Sequence, residues 1–328
     1  HHYRFSVAPM MDWTDRHCRA FHRRLSQHAL LYTEMVTADA VIHGDQERLL
    51  GYSDEEHPVA LQLGGSEPDK LRTAAKIGEE FGYDEINLNC GCPSDRVQSG
   101  AFGAVLMKSP ERVADCVAAM QDAVSVPVTV KCRIGVDEDD PHVVLPHFIE
   151  TVKAAGCDLF IIHARKAWLQ GLSPKENRDV PPLDYELVKD LKQAHPDLTI
   201  SLNGGVQTLD DVEVHLGMLD GVMVGRAAYH SPEMLLDVDQ RVFGTAPLFE
   251  TVFDALADYR EYILRRLESG IPLHAMTRHM LGLFAGKPGA RKWRRSLSEN
   301  APGAIGVEAI KVYDDALAQI PKERLSAA

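Results

Sequence analysis

The sequence lacks several features that would place it in other protein classes. No apolar run in its 328 residues approaches the ~20 that a membrane-spanning helix needs. The chain also opens without the charged segment, apolar run and small-residue cleavage site of a secretory leader. We therefore expect a soluble protein of the cytoplasm.

Cysteine is scarce and scattered. The six cysteines stand at positions 18, 90, 92, 116, 132 and 157, which is too sparse for a disulfide framework and fits a reducing compartment. The pair Cys90-x-Cys92 does not have zinc spacing, and no second Cys or His pair follows it at a finger-like distance. We expect no metal site.

An excess of basic residues is missing as well. The formal net charge is −13, which argues against a protein that coats nucleic acid indiscriminately. The charge is uneven, because residues 246–328 hold 12 Lys and Arg against 10 Asp and Glu, whereas the rest of the chain holds 23 against 38. The C-terminal part is therefore the part suited to a polyanion.

What the sequence does contain is a repeated alternation of short β-branched runs with amphipathic helical stretches. This pattern is typical of crossover units in a parallel sheet, and eight units over about 235 residues predict a closed (β/α)₈ TIM barrel in the α/β class. An open doubly wound sheet is the alternative, but Ala8-Pro9-Met10-Met11 lacks its glycine fingerprint. The predicted strands are Phe5–Ala8, Leu30–Thr33, Val59–Leu63, Glu85–Asn89, Pro127–Cys132, Leu159–His163, Leu198–Asn203 and Gly221–Val224.

The character of the chain changes after Phe243-Gly244-Thr245. Helical periodicity continues there with no strand between the helices. We expect a barrel domain over residues 1–244 and a C-terminal α-helical domain over 245–328. The predicted helices of that domain are Phe249–Leu267, His274–Phe284 and Ala304–Ile320.

A phosphate site is predicted at the ends of the last two strands. In barrels of this kind the chemistry lies at the C-terminal strand ends, and phosphate often binds to the loops after strands seven and eight. Glycines there let backbone N–H groups approach phosphate oxygens, and an arginine adds a charged donor. The residues are Asn203, Gly204, Gly205, Gly225 and Arg226, although tight turns alone would also explain the glycines.

Lys131 and His163 close two further strands, so both are expected at the barrel mouth. An ammonium can neutralise charge that develops on a ring, and an imidazole can bind phosphate or a carbonyl. Lys131 is also placed to form a Schiff base, which would make the protein aldolase-like. A purely structural hydrogen-bonding role remains open for each residue.

Two thiols follow the fourth strand. Gly91 and Pro93 hold Cys92 in a stiff turn, whereas Cys90 has no such constraint, so Cys92 is the better candidate for chemistry. An ordinary thiol has a pKa of about 8.5 and can donate a proton at neutral pH, while a nucleophile would need a thiolate. A small buried thiol that merely closes a strand is the alternative for either cysteine.

With these residues placed, the sequence resembles the tRNA-dihydrouridine synthases. The resemblance runs along nearly the whole chain, and "GLSPKENR" (171–178) and "TRHMLGLFAGKPGARKWRR" (277–295) resemble the bacterial A subgroup, whose targets are D-loop uridines at tRNA positions 20 and 20a. The other matching stretches are "APMMDWTD" (8–15), "YTEM" (32–35), "ALQLGG" (60–65), "INLNCGCPSDRVQSGAFGA" (86–104), "PVTVKCRIG" (127–135), "FIIHARKA" (160–167), "NGGV" (203–206) and "DGVMVGRAAY" (220–229).

The resemblance implies a barrel that holds FMN, with NADPH as the reductant. It implies that reduced flavin passes hydride to C6 of uracil and that Cys92 donates a proton to C5. Cys90 stands where the family pattern favours an apolar residue. The implied cofactor contacts are Pro9, Met10 and Met11 beside the flavin ring, Gln62, Lys131 and His163 on the cofactor, and Asn203, Gly204, Gly205, Gly225 and Arg226 on its phosphate.

The resemblance also implies tRNA as the partner of an enzyme that we expect to be a monomer. Asn89 would hydrogen-bond the uracil edge. Basic residues would pair with RNA phosphates, and Trp293 would offer an aromatic surface unless it turns into the core. The basic residues are Lys175, Arg178, Arg291, Arg294 and Arg295.

Two rival functions remain open at this stage. An FMN-dependent reductase of a free pyrimidine would use the thiol and the phosphate site but would leave the helical domain idle. A non-catalytic RNA-binding module would use only that domain.

Overall fold

The computed structural model describes residues 2–321. Its strands are all parallel and form a closed barrel in chain order, with β8 pairing back onto β1. The predicted (β/α)₈ barrel is confirmed. The strands are β1 (Phe5–Val7), β2 (Leu30–Thr37), β3 (Val59–Gly64), β4 (Glu85–Cys90), β5 (Val128–Cys132), β6 (Leu159–His163), β7 (Thr199–Asn203) and β8 (Gly221–Val224).

Helices connect the strands and continue beyond the last one. The predicted helix Phe249–Leu267 corresponds to the observed Val252–Glu268. The α-helices in chain order are α1 (Arg16–Leu25), α2 (Ala38–His43), α3 (Gln46–Leu50), α4 (Pro68–Glu80), α5 (Asp95–Ser99), α6 (Pro110–Gln121), α7 (Pro141–Ala154), α8 (Tyr185–Ala194), α9 (Leu209–Leu216), α10 (Arg226–His230), α11 (Val252–Glu268), α12 (Leu273–Thr277), α13 (Ala290–Asn300) and α14 (Ile310–Leu317). In the described part of the chain, no helix combines the length and apolarity that crossing a membrane requires.

The strand β4 shows how alternation builds the barrel wall. Successive side chains of a strand point to opposite faces. Ile86, Leu88 and Cys90 belong to the main apolar core, which also includes residues of the surrounding helices. The alternate residues Glu85 and Asn87 are also buried, and they hydrogen-bond to side chains of β2 and β5. One face of β4 is therefore apolar packing and the other is a polar lining of the barrel.

The helix α4 illustrates why the boundaries fall where they do. Pro68 occupies the first helical turn, where its fixed φ suits a helix and its missing N–H would have no partner within the helix. Gly82 follows the end of the helix with φ of +94°, a left-handed conformation that glycine adopts without strain. The crossover to β4 follows directly.

The chain folds into two compact units, each of which packs mainly within itself. The barrel unit comprises residues up to Asp12 and Ala29–Gly225, and the helical unit comprises Trp13–His28 and the chain from Arg226 onward. This grouping differs from the expected division into 1–244 and 245–328, because α1 and the segment 226–244 belong to the helical unit. Residues 322–328 of the expected C-terminal domain lie outside the described residues.

Within the helical unit, two predicted helices are shorter than expected. The segment His274–Phe284 is helical only in part, since the Met280 carbonyl accepts a hydrogen bond from the Trp293 indole at 2.9 Å and Phe284 has φ of +63°. The segment Ala304–Ile320 cannot be one helix, because Gly306 has φ of +75° ahead of α14. Tertiary hydrogen bonds and a left-handed residue override the helical periodicity in these places.

Candidate active site

The turn after β4 presents Cys92 at the C-terminal end of the barrel. Oδ1 of Asn89 accepts hydrogen bonds from the backbone N–H groups of Gly91 and Cys92, both at 3.0 Å. The Cys92 carbonyl in turn accepts from the Ala104 amide at 2.8 Å. Sγ of Cys92, which is partly exposed, lies 3.5 Å from the Ser94 hydroxyl. The turn is therefore fixed at several points, and Cys92 remains partly exposed.

The other thiol of this segment is unavailable. Cys90 is fully buried in the apolar core, and burial raises its pKa well above the ordinary value. Its strand neighbour on β5 is Cys132, whose pKa burial raises to about 12. Both thiols stay protonated and shielded from solutes. The structure thus separates the two cysteines as the turn chemistry predicted.

A group of cations gathers around the end of β5 and β6. Burial and, to a smaller extent, the nearby charge of Arg133 together lower the pKa of Lys131 to about 8. His163 is 7% exposed, and its pKa falls well below the ordinary value because of burial and because of Arg133, Lys131, Arg165 and Arg178. His163 is therefore neutral at pH 7. The barrel mouth is therefore positively charged, although the net charge of the whole chain is negative.

Arg178 is exposed, and its charge acts electrostatically on buried residues of the mouth. It contributes to the lowered pKa of Lys131, Arg133 and His163. Its predicted contact with tRNA stays a prediction. Lys175 is exposed three residues earlier in the same loop, and its predicted role stays a prediction.

Arg133 has a positional role that the sequence did not reveal. Only 4% exposed, it donates from Nε to the Gly91 carbonyl at 3.2 Å and from one terminal nitrogen to the Asn177 carbonyl at 2.8 Å. The side chain of Asn177 holds the Trp168 backbone on both sides. Arg133 thereby connects the Cys92 turn to the loop after β6. Its only sequence signal was its place just beyond the β5 end.

The two glycines after β7 have conformations that other residues would adopt only with strain. Gly204 has φ of +107°, and a Cβ on it would lie 2.5 Å from Cδ2 and 2.9 Å from Nε2 of His163. Gly205 has φ of +74°, and a Cβ there would meet Leu183 and the Tyr185 hydroxyl. Asn203 donates to the Met223 carbonyl at 2.9 Å and so joins the ends of β7 and β8.

The ends of β8, β1 and β3 supply the other predicted contacts within the barrel unit. Met10 packs against the small apolar cluster inside the barrel, its Sδ is 3.8 Å from the position of a Cβ on Gly225, and Met11 is 55% exposed. Gln62 is buried and bonds to both Asn87 and Asn89. Pro9 is half-buried between β1 and Met10. Arg226, the first residue of the helical unit after the barrel, begins α10 directly after Gly225.

In the helical unit, α13 carries the predicted basic group. Arg291, Arg294 and Arg295 are exposed and help to line a groove of about 1140 Å³. The expectation that Trp293 offers an aromatic surface is wrong, because its side chain is fully buried and its indole donates to the Met280 carbonyl. The opposite face of α13 therefore anchors the helix and leaves its arginines outward.

Comparisons with known proteins agree over nearly the whole chain. The dihydrouridine synthase (Dus) family model matches residues 6–316. A tRNA-dihydrouridine(20/20a) synthase of Vibrio parahaemolyticus is 56% identical over 326 residues, which cover 98% of both chains. Proteins of the same name from Escherichia coli K12 and Yersinia pestis are 58% and 57% identical, over 98% and 97% of this chain and 92% and 91% of their own.

Proposed function

The chain belongs to the dihydrouridine synthase family, and on that premise we propose that it reduces uridine to 5,6-dihydrouridine in the D-loop of tRNA, at positions 20 and 20a. The names of the relatives support this substrate. The observation that carries the proposal is the partly exposed Cys92 thiol, held by Asn89 beside a group of cations at the barrel mouth.

The residues at the mouth fit the FMN that we propose as cofactor. The φ of Gly204 and Gly205 leaves their backbone bare where a Cβ would collide with neighbours, as close approach of a phosphate requires. Lys131 supplies positive charge and His163 a neutral ring N–H. The residues that would hold the cofactor are Pro9, Met10, Met11, Gln62, Lys131, His163, Asn203, Gly204, Gly205, Gly225 and Arg226.

When bound, FMN would supply hydride for C6 of the uracil, with NADPH as the proposed source of electrons. The protein's own contribution is the proton. Cys92 donates the proton of its S–H bond to C5, which leaves a thiolate on the enzyme. The thiolate takes up a proton from water before the next turnover. Lys131 and Arg133 both interact electrostatically with Cys92.

Asn89 positions both partners of this proton transfer. Its Oδ1 fixes the backbone of Cys92, and its Nδ2 donates to Gln62 at 2.9 Å. We propose that the second hydrogen of this amide meets the edge of the uracil. A base in folded tRNA must leave its stack to reach such a pocket. The bonds to the protein set the direction of the amide before the base arrives.

The helical unit supplies the proposed RNA contacts. Arg291, Lys292, Arg294 and Arg295 project from α13 along its groove. Guanidinium and ammonium groups on an exposed surface bind backbone phosphates, and they do so independently of sequence. Lys175 and Arg178 are proposed to add contacts from the barrel unit. We keep a monomeric protein of the cytoplasm as part of this proposal.

One experiment separates the proposed function from its rivals. The purified protein is examined for a visible flavin band and is then incubated with NADPH and either unmodified tRNA or free uridine. We expect a flavin band, dihydrouridine in the tRNA and little turnover of the free nucleoside. Turnover of uridine alone would favour a small-molecule reductase, and a colourless protein that does not bind added FMN would favour a non-catalytic module.

A further inference from the structure

A line of side-chain hydrogen bonds runs from the Cys92 turn through the barrel interior. Asn89 donates to Gln62 at 2.9 Å, Gln62 to Asn87 at 2.9 Å, and Asn87 to the Thr129 hydroxyl at 2.8 Å. Thr129 donates to Oε1 of Glu85 at 2.5 Å. The line thus joins the proposed uracil-binding amide to a carboxyl group at the opposite end of β4.

Every bond of this line has the same direction. At the mouth, the N–H groups of Gly91 and Cys92 can only donate, so Asn89 must present Oδ1 to them and Nδ2 to Gln62. At the far end, the carboxyl oxygen of Glu85 accepts from Thr129. Each amide between has one orientation that satisfies both neighbours. Two fixed ends therefore impose one common direction on the line.

The side chains of this hydrogen-bonded line beyond Asn89 are buried, so water cannot replace a hydrogen bond that is lost. Gln62, Asn87, Thr129 and Glu85 are each at most 1% exposed. A reversed amide would set two donors or two acceptors against each other in a buried space, which costs free energy because neither group finds another partner. The orientation of the amides at the mouth thus depends on groups well inside the barrel.

Glu85 is unusual among these groups. Its Oε1 accepts both from Thr129 and from the Tyr32 hydroxyl at 2.6 Å, whereas its Oε2 has no hydrogen-bond partner among residues 2–321. Burial raises its pKa to about 7. A carboxyl group with one unpaired oxygen in the interior costs stability. Packing alone would be better served by an apolar side chain of similar size.

We propose that Glu85 is a positioning residue for the reaction, because its Oε1 is the acceptor that fixes the direction of the line and so the orientation of Gln62 and Asn89. This rests on the proposed function, since the roles of those two amides at the mouth are part of it. Without that acceptor, the Thr129 hydroxyl can turn and donate to Asn87. The amides of Asn87 and Gln62 then reverse, and the Gln62 NH2 group meets the NH2 group of Asn89. Asn89 must release either Gln62 or the Cys92 turn.

The test compares Glu85→Leu with Glu85→Gln and Tyr32→Phe in the full-length, FMN-loaded enzyme. Leu removes the acceptor, Gln keeps an oxygen for Thr129, and Tyr32→Phe removes the second donor while leaving the line intact. Two measurements are made. The first gives kcat and KM on unmodified tRNA, and the second gives the rate at which iodoacetamide alkylates Cys92, followed by peptide mass spectrometry. The alkylation rate does not require turnover.

We expect Glu85→Leu to lower kcat on the order of tenfold or more with little change in KM, because misplaced groups act mainly on the chemical step. The alkylation rate of Cys92 should change several-fold. Glu85→Gln and Tyr32→Phe should stay within about twofold of the wild type in both. Equal losses in all three variants, or an unchanged Glu85→Leu, would overturn the proposal.

A second pair of variants serves if Glu85→Leu does not fold. Thr129→Val cuts the line at nearly constant volume, and Thr129→Ser keeps the hydroxyl. Thr129→Val should show the same fall in kcat as Glu85→Leu, and Thr129→Ser should not. Equal behaviour of the two Thr129 variants would contradict the proposed positioning. If the wild type makes no dihydrouridine, the proposed function fails, while the alkylation rates still decide whether the line controls the Cys92 turn.

Discussion

Oδ1 of Asn89 lies 3.0 Å from the backbone nitrogen of Cys92 and accepts its hydrogen bond. The residue that points into the barrel at the end of β4 therefore holds the turn that carries the thiol. Because Asn89 is also bonded to Gln62, the position of Cys92 depends on the polar lining of the barrel as well as on its own loop. The predictions below test this dependence and the site around it.

Replacing Cys92 by Ala should leave folding and flavin binding intact and should lower dihydrouridine formation about a hundredfold to ten-thousandfold, the range expected for loss of a general acid. Cys90→Ala is the matched control. It should keep its activity but lose about 1 kcal/mol of stability, since Cys90 is fully buried. Single-turnover assays and thermal unfolding measure the two effects. Equal loss of activity in both variants would contradict the roles assigned to the thiols.

Replacing Asn89 by Ala should loosen the Cys92 turn. Its two backbone N–H groups lose their acceptor, so amide hydrogen exchange in the peptide that contains Gly91 and Cys92 should accelerate, and kcat should fall at least tenfold. Ser94→Ala is the control for the exchange measurement, because the Ser94 hydroxyl contacts Sγ at 3.5 Å but does not bond these amides. Unchanged exchange in Asn89→Ala would show that the turn holds itself.

Replacing Gly204 by Ala should weaken FMN binding. The new Cβ would lie 2.5 Å from the His163 ring and must displace it. Gly171→Ala is a matched control for backbone strain, since Gly171 has φ of +85° but no described atom within 4 Å of a Cβ. We expect about a tenfold higher FMN dissociation constant for Gly204→Ala, measured by fluorescence titration, and almost no change for Gly171→Ala. Equal weakening of FMN binding in both variants would mean that backbone strain, and not the collision with His163, is responsible.

The stability difference between Glu85→Gln and the wild type should depend on pH. Burial raises the pKa of Glu85 from 4.5 to about 7 in the folded protein, helped by the charge of Asp84 and opposed by the hydrogen bonds from Thr129 and Tyr32. Below pH 4.5 Glu85 is protonated in both the folded and the unfolded wild type, and above pH 7 it is ionised in both. The wild type therefore loses about 3 kcal/mol relative to the variant as pH rises through this window.

Thermal unfolding at pH 5 and pH 8 measures this effect. The Tm of Glu85→Gln relative to the wild type should be clearly higher at pH 8 than at pH 5. Tyr32→Phe should also show a pH-dependent difference, of the opposite sign, because it removes a hydrogen bond that favours the ionised carboxylate. A pH-independent difference for Glu85→Gln would show that Glu85 has an ordinary pKa.

Charge reversal along α13 should weaken binding of tRNA. In the double variant Arg291→Glu with Arg294→Glu, we expect KM for tRNA to rise at least tenfold while kcat changes little. In a plot of the logarithm of the tRNA association constant against the logarithm of the salt concentration, the slope should become shallower by about one unit for each lost phosphate contact. Lys311→Glu is the control, an exposed cation on α14 that does not line the groove. Equal effects would indicate a nonspecific charge effect.

Much of the barrel was predictable from local pattern. Short β-branched runs fixed the eight strands to within a few residues, and the residues that close them are those at the mouth. The turn chemistry of Gly91 and Pro93 also distinguished Cys92 from Cys90 correctly with respect to burial. These features depend on neighbours in sequence, which periodicity and turn residues encode.

Features that depend on distant contacts were missed. The helix α1 lies early in the chain but belongs to the helical unit, where Arg24 pairs with Asp258 and His17 contacts Tyr262. The role of Arg133 depends on the loop that contains Asn177. The polar face of β4 was visible as Glu85, Asn87 and Asn89 at every second position, but only the barrel shows that this face is buried.

The most direct test of the account is to locate the product on the RNA. An unmodified tRNA transcript is incubated with the FMN-loaded enzyme and NADPH, digested into fragments and analysed by mass spectrometry. The account predicts a gain of two hydrogens on uridines 20 and 20a, the positions in the names of the relatives, and a far smaller yield with Cys92→Ala. An unaltered transcript, or gains confined to other positions, would contradict it.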